Sequence, residues 1–337
     1  FLIHPLSRVV LGLLFSVILG SFAIRGLDWH AVGEEFKSIH IIYTLCALCI
    51  FICARVLLAY RWQVLFLEDR LSLWRLFLIQ NAGVGLNNLV PIRVIGEASQ
   101  FILLTLKYKV RFGVGVSTLG MERVLDLLSS TSILIAGLFL LPSKGVLLPY
   151  VGGAFMIAIS SLVMVRIFIW LSTTTMFQFI PWLSALGSSF IALTKARKRL
   201  SYSLFLTIVY WLMIGVAVWV VALGMDMRTL NSEIISPIVA TVTVILTLYI
   251  ITVIPSLPAA AGTFEFSVVY ILRLFGVESE IAISYALVIH AILFLPPVII
   301  AIIVFSNAGT RSIGRNLILA GIRKKKQEAS DSFLDVR

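Results

Sequence analysis

A chain of 337 residues that is 60% hydrophobic and only 13% charged has too little polar surface to cover a soluble core of its size. Its mean hydropathy of +1.06 and its recurring apolar runs suit helices crossing a hydrocarbon layer roughly 30 Å thick, and the alternation of a membrane β-barrel is absent. The net charge of +11 would suit nucleic acid, but the basic residues cluster between apolar runs and near the C-terminus. That pattern marks membrane orientation, so no nucleic-acid partner is expected.

The predicted fold is an all-α polytopic integral membrane protein with six full spans, at about 6–25, 39–60, 113–141, 149–170, 203–223 and 281–306. The chain begins at Phe1 rather than Met, so a further N-terminal piece is expected. The first run, Leu6 to Ile24, has no small-residue cleavage site and is read as a retained span. Cys46, Cys49 and Cys53 fall on the second span with no His or further Cys nearby, so they are read as small packing residues; no metal and no cofactor is expected.

Two further apolar segments are interrupted. Residues 76–106 break at "NNLVPIRVIGE", around Pro91 and Gly96, and residues 235–275 break at "IPSLPAAAG", around Pro255, Pro258 and Gly262. Each half is too short to cross comfortably, which predicts two re-entrant or broken helical hairpins. Arg61, Arg70 and Arg75 precede the first hairpin and Lys107, Lys109 and Arg111 follow it, so its ends should face the cytoplasm. Asp226, Glu233, Glu278 and Glu280 flank the second, whose ends should face outward. Both termini are then cytoplasmic. The connector at about 171–200, with Trp170, Phe177, Phe179, Trp182 and Phe190 ahead of "KARKR", suits a cytoplasmic-side interfacial helix with its rings at headgroup level. Residues 321–337 read as a polar, disordered cytoplasmic tail.

The order span, hairpin, span over about 39–141 recurs over about 203–306. Pro91 leads to Gly96 and Glu97 as Pro258 leads to Gly262 and Glu265; Glu97 lies 25 residues before Glu122, and Glu265 lies 25 before His290. With opposed charge topology, this predicts an inverted-topology repeat within a single membrane domain, residues 1–320, as in transporters that alternate access around discontinuous helices. A helical bundle with chance symmetry is the competing reading.

Charges at membrane depth cost about 2.5–3.5 kcal/mol each on insertion scales, so Arg93, Glu97, Glu122, Arg123, Asp126, Glu265 and His290 must pair or line a wet cavity. One reading is a network of internal ion pairs locking the hairpins. The other is a polar chamber for a charged headgroup, with Arg93 and Arg123 as phosphate contacts. Asn87 and Asn88 would bind that headgroup or satisfy backbone freed by Pro91. His290 is either a hydrogen-bonded structural residue or a proton-coupling partner of Glu265. Arg55 is set aside as a snorkelling residue near the end of its span. No catalytic residue is assigned.

The strings "GVGLNNLVPIRVIGE", "MERVLDLL" and "IPSLPAAAGTFE" resemble, in order and spacing, the transmembrane region of lysylphosphatidylglycerol synthases, a flippase-like domain that also occurs as a stand-alone membrane protein. The resemblance covers roughly residues 6–306. By it, Asn88, Pro91, Arg93, Gly96 and Glu97 match a first motif, Glu122, Arg123 and Asp126 a second, and Pro255, Pro258, Gly262 and Glu265 a third. The chain departs at Ala259 to Ala261, where the family commonly has Gly-Gly, and at Gln100 and His290, where basic residues are common.

The resemblance implies a translocase moving a phospholipid, glycolipid or polyprenyl lipid between leaflets of a bacterial or archaeal cytoplasmic membrane. It leaves a homo-oligomer open. The chain ends about 30 residues after the last span, so the soluble aminoacyl-transferase domain of a synthase is not expected. The alternatives are a membrane-embedded transferase using Glu97, Glu122 or Asp126 for acid–base chemistry, and a non-catalytic partner of a separate lipid-modifying enzyme.

Overall fold

The computed structural model describes residues 5–67, 71–90, 94–140, 144–172, 181–228, 235–253 and 257–334. Among them are twelve α-helices and no strand. In chain order these are α1 (Pro5–Ile24), α2 (Trp29–Ser38), α3 (Ile41–Leu65), α4 (Leu73–Leu89), α5 (Val94–Ile102), α6 (Phe112–Leu140), α7 (Lys144–Ser172), α8 (Pro181–Lys195), α9 (Arg197–Gly224), α10 (Pro237–Val253), α11 (Thr263–Leu274) and α12 (Ser279–Leu334). A π-helical turn, Leu103–Lys107, extends α5, and a 3₁₀ turn, Pro258–Ala260, precedes α11.

Runs of Leu, Ile, Val, Phe and Ala close their backbone hydrogen bonds within the helix, which hydrocarbon demands of any spanning segment. By length and composition, Ile41–Leu65, Val151–Leu171, Arg197–Gly224 and Ser279–Ser306 can each cross a membrane. The helix α6 is equally long, at 29 residues, but carries Glu122, Arg123 and Asp126. The short α2 starts where the Asp28 carboxylate accepts the amides of His30 (2.9 Å) and Ala31 (3.4 Å). Exposed Leu13, Phe15, Val17, Ile18 and Phe22 on α1, and Met156, Val163 and Met164 on α7, form apolar outer faces suited to lipid.

The helices that open the two units, α3 and α9, form the most extensive pair in the fold. They run antiparallel: the amide of His40 meets the carbonyl of Gly224 at one end (3.4 Å), and Arg199 donates to the carbonyl of Phe66 at the other (3.0 Å). The pair α6 and α10 is antiparallel too, with Ser130 and Thr131 each 2.9 Å from the Tyr249 hydroxyl and Gly137 against Val242. Of these two pairs only α3 and α9 hold corresponding places in the two units, and opposed directions of corresponding helices are what an inverted repeat requires.

Both interrupted segments break where the sequence predicts. After α4 the chain turns and α5 folds back along it, so closely that a Cβ on Gly96 would lie 2.2 Å from the carbonyl oxygen of Gly83. After α10 the 3₁₀ turn holds Ala259 (φ 55°) and Ala260 (φ 57°) in the left-handed region, ahead of Gly262 (φ 78°). For alanine that conformation costs roughly 1–2 kcal/mol per residue. This turn lies against α4, so the second hairpin packs on an arm of the first. Along the same face α4 packs on α12, where Pro296 and Pro297 remove two backbone donors, and a Cβ on Gly85 would lie 2.0 Å from the Pro297 carbonyl oxygen.

Three expectations change. Cys46, Cys49 and Cys53 are all exposed on the outer face of α3 rather than packed, since that face is turned away from α9. Phe190 is buried edge-on against Phe168 instead of sitting at headgroup level, because α8 packs along α6 and α7. The helix α12 continues through Leu334, so residues 321–334 are helical rather than disordered; their Ala, Leu, Arg, Lys and Glu content favours extending a helix already nucleated. Pro91, Arg93, Pro255, Glu233, Phe177 and Phe179 lie outside the described residues.

Gly85→Ala should destabilise the protein by about 1–3 kcal/mol through overpacking against Pro297, seen as a lower thermal unfolding midpoint in detergent. Gly152→Ala, with nothing within 4 Å of its Cβ position, should leave the midpoint unchanged or slightly raised.

Candidate functional site

The charged residues fall into three clusters, each joining different helices. In the first, α3, α4, α6 and α9 meet around Arg61, which is fully buried near the C-terminal end of α3. Glu122 and Asp126, one turn apart on α6, both accept from its guanidinium: Nη2 reaches Glu122 Oε1 at 2.5 Å, and Nη1 reaches Asp126. Thr207 of α9 accepts a further bond from Nη1 (3.2 Å), and Gln80 of α4 donates to Glu122 Oε1 (2.9 Å). A planar fork holding two carboxylates suits Arg and not Lys.

One turn and a half back along α3 lies Arg55, only 5% exposed. Its Nε donates to Asn81 Oδ1 at 2.8 Å, and Asn81 in turn donates to the carbonyl of Phe77. No described carboxylate touches Arg55, and its Nη2 is buried without a partner, as is the carbonyl oxygen of the Gln80 side chain. Unpaired buried polar atoms are rare and mark a bound water or ligand more often than a defect.

The second cluster ties the first break together. Asn87 accepts from the amide of Gly96 at 2.7 Å, covering an orphan N–H in the first turn of α5, and donates to Glu97 Oε2 at 3.1 Å. Glu97 Oε1 accepts from Arg123 of α6 at 2.8 Å. This pair is open: the side chains are 40% and 54% exposed. Asn88 is half-buried and has no side-chain hydrogen bond among the described residues.

The third cluster closes the second break. Glu265 accepts from the amide of Gly262 with Oε2 (2.7 Å) and meets His290 Nδ1 of α12 with Oε1 (2.5 Å). The imidazole is further enclosed by Phe264 and Phe294. From outside both units, α1 brings Ser16: its hydroxyl accepts from the amide of Leu257 (2.8 Å) and touches the hydroxyl of Thr263 (3.2 Å). Gly20 and Gly262 allow that approach, since a Cβ on Gly262 would lie 2.5 Å from the Ser16 carbonyl oxygen.

The structure thus joins Glu122 with Asp126, Glu97 with Arg123, and Glu265 with His290, and brings Asn87 to the first break. The partner of Glu97 is Arg123 rather than the residue 25 positions on. Arg55 does not snorkel outward, and Arg61 is not an exposed orientation charge; both point into the bundle. Sequence reasoning also passed over Gln80, Asn81 and Ser16. The adjacent amides of "IQNAG" were the available signal, whereas one serine in an apolar helix carries none.

These groups pair with one another in this conformation, and the two clefts that stand out lie elsewhere. One, of ≈ 450 Å³, runs between α6 and α8 and includes Arg111, Ser117 and Ser189. The other, of ≈ 570 Å³, lies between α7, α8 and the start of α9.

Antiparallel helical units, each interrupted by a hairpin whose break is tied by a carboxylate, define a multi-pass membrane protein of the broken-helix kind. The family model for the lysylphosphatidylglycerol synthase TM region matches residues 9–301, and the chain belongs to that family. Membership ties the protein to membrane-lipid chemistry. No protein with a curated description matches it.

Arg61→Gln should cost about 3–5 kcal/mol, because it strands the buried carboxylate of Glu122 and the part-buried one of Asp126. The triple change Arg61→Met, Glu122→Gln and Asp126→Asn should restore most of the loss. Thermal midpoints of the detergent-purified variants test the pair.

Proposed function

We propose that this protein is a lipid translocase in which a phosphate-bearing headgroup crosses between leaflets along the junction of the two broken hairpins while the acyl chains stay in the bilayer. The observation that carries this reading is the packing of one interrupted hairpin on the other, where the 3₁₀ turn at Pro258–Ala260 lies against α4, the first arm of the first hairpin. Each break is held by a side chain that can let go: Asn87 and Glu97 at one, Glu265 and His290 at the other. Their polar groups are closed on one another here, as in an occluded conformation.

Arg55 is the headgroup contact best suited to a phosphate oxygen. It is buried, it has no described counter-charge, and it presents a free N–H. Glu97 and Arg123, half exposed, form the gate beside it on the α5–α6 side. Opening requires exchange of partners rather than rupture of bare charges, because an incoming phosphate can replace Glu97 on Arg123. Arg75 at the start of α4, Lys107 after α5 and Lys195 at the end of α8 set the cytoplasmic side under the charge bias of membrane proteins.

In liposomes carrying fluorescent phosphatidylglycerol or lysyl-phosphatidylglycerol, the reconstituted protein should speed leaflet exchange of at least one of them. Arg55→Gln removes a charge-assisted hydrogen bond, worth about 1.5–3 kcal/mol, and should slow exchange roughly ten- to a hundredfold. Glu97→Gln should also slow it, and Arg273→Gln, on an exposed turn, should not. Exchange no faster than in protein-free vesicles for every lipid tested would sink the proposal.

A further inference from the structure

We infer that the cleft between α7, α8 and α9 is a binding site for an anionic phospholipid, separate from the hairpins. Its walls are Leu162, Val165 and Ile169 of α7, and its rim carries three cations: Arg166, Lys195 and Arg197. No residue of α4, α5, α10 or α11 lines it.

Among the described residues these cations have no carboxylate partner. From residue 127 to residue 225 the sequence contains no Asp or Glu. The negative charge they call for must come from another molecule. Depth selects which kind. Arg166 lies six residues before the end of α7, about 9 Å along the axis. That helix is the least buried of the long apolar ones, with 11% of its span inside the fold. A guanidinium there sits beneath the surface of a bilayer, where its side chain can rise to the phosphate layer.

The geometry has two parts that match two parts of one ligand. Apolar side chains one and two turns apart along α7 offer a track for an acyl chain, and the cations at its head offer charge-assisted bonds to a phosphate. Arg199, next along the chain, is engaged with the carbonyl of Phe66 and is not part of the rim. The end of α3 and the basic rim therefore share one side of the membrane. A lipid bound there would bridge α7 to the junction of α8 and α9, a junction held otherwise by the contacts of α8 with α6 and α7.

Native mass spectrometry of the full-length protein in detergent, titrated with dioleoyl-phosphatidylglycerol and with dioleoyl-phosphatidylcholine, tests the site. The phosphatidylglycerol adduct should form at a lipid concentration at least tenfold lower than the phosphatidylcholine adduct. Arg166→Gln alone should weaken it several-fold, and Arg166→Gln, Lys195→Gln and Arg197→Gln together should abolish the preference. Lys107→Gln, Lys198→Gln and Lys324→Gln together, the same change in net charge outside the cleft, should leave it intact. Equal loss in that control would show diffuse attraction and overturn the site. So would an unchanged preference in Arg166→Gln and the triple variant. If inorganic phosphate displaces phosphatidylglycerol at equal concentration, the cleft takes a soluble anion and the lipid assignment fails. Leaflet exchange need not change in any of these variants, so this result and the translocase result stand or fall apart.

Discussion

Hydrocarbon offers a broken helix nothing to bond to. Every amide and carbonyl released at an interruption must find a partner from the protein itself, and each unpaired group costs several kcal/mol. That constraint explains why both breaks are surrounded by polar side chains that a spanning helix would otherwise exclude. Asn87 takes the loose amide of Gly96, Glu265 takes that of Gly262, and Ser16 takes that of Leu257. The carboxylates beside them are themselves expensive, so each is matched with a hydrogen-bonding partner on the following long helix, Arg123 or His290. Interruption, cap and partner form one unit, present twice.

The places where sequence was informative follow from the same constraint. Interruptions need Asn, Pro and Gly, which stand out against Leu and Val, so the positions of both breaks were legible, as were the long helices between them. Glu122 and Asp126 share a face because they are four apart, and they share a partner for that reason. The partner itself was not legible. Arg61 closes an apolar run, as a snorkelling charge would, but Glu122 and Asp126 of α6 and Thr207 of α9 hold it inward. Arg55 was misjudged in the same way. Facing direction depends on which helix arrives from far along the chain, and α9 is about 150 residues away.

The pairing of Glu97 illustrates a second limit. The spacing of 25 residues that marks the repeat ends on the partner itself, His290, in the second unit and one residue before the partner, Arg123, in the first. The units are similar in plan and offset by one residue in detail, since the first places its acid near an open edge of α6 and the second buries it between α11 and α12. Exposure differs accordingly: 40% for the side chain of Glu97 and 11% for that of Glu265. One pair therefore lies open at the protein surface and the other is enclosed.

The contact of α1 with the second break has a consequence for any cycle that exchanges the two units. Ser16 and Gly20 belong to neither unit, so they clasp one hairpin and leave its counterpart bare. Releasing the second hairpin means also unfastening α1, while releasing the first does not. In such a cycle the two end states would differ in free energy before any substrate or gradient acts, and the empty protein would rest predominantly on one side.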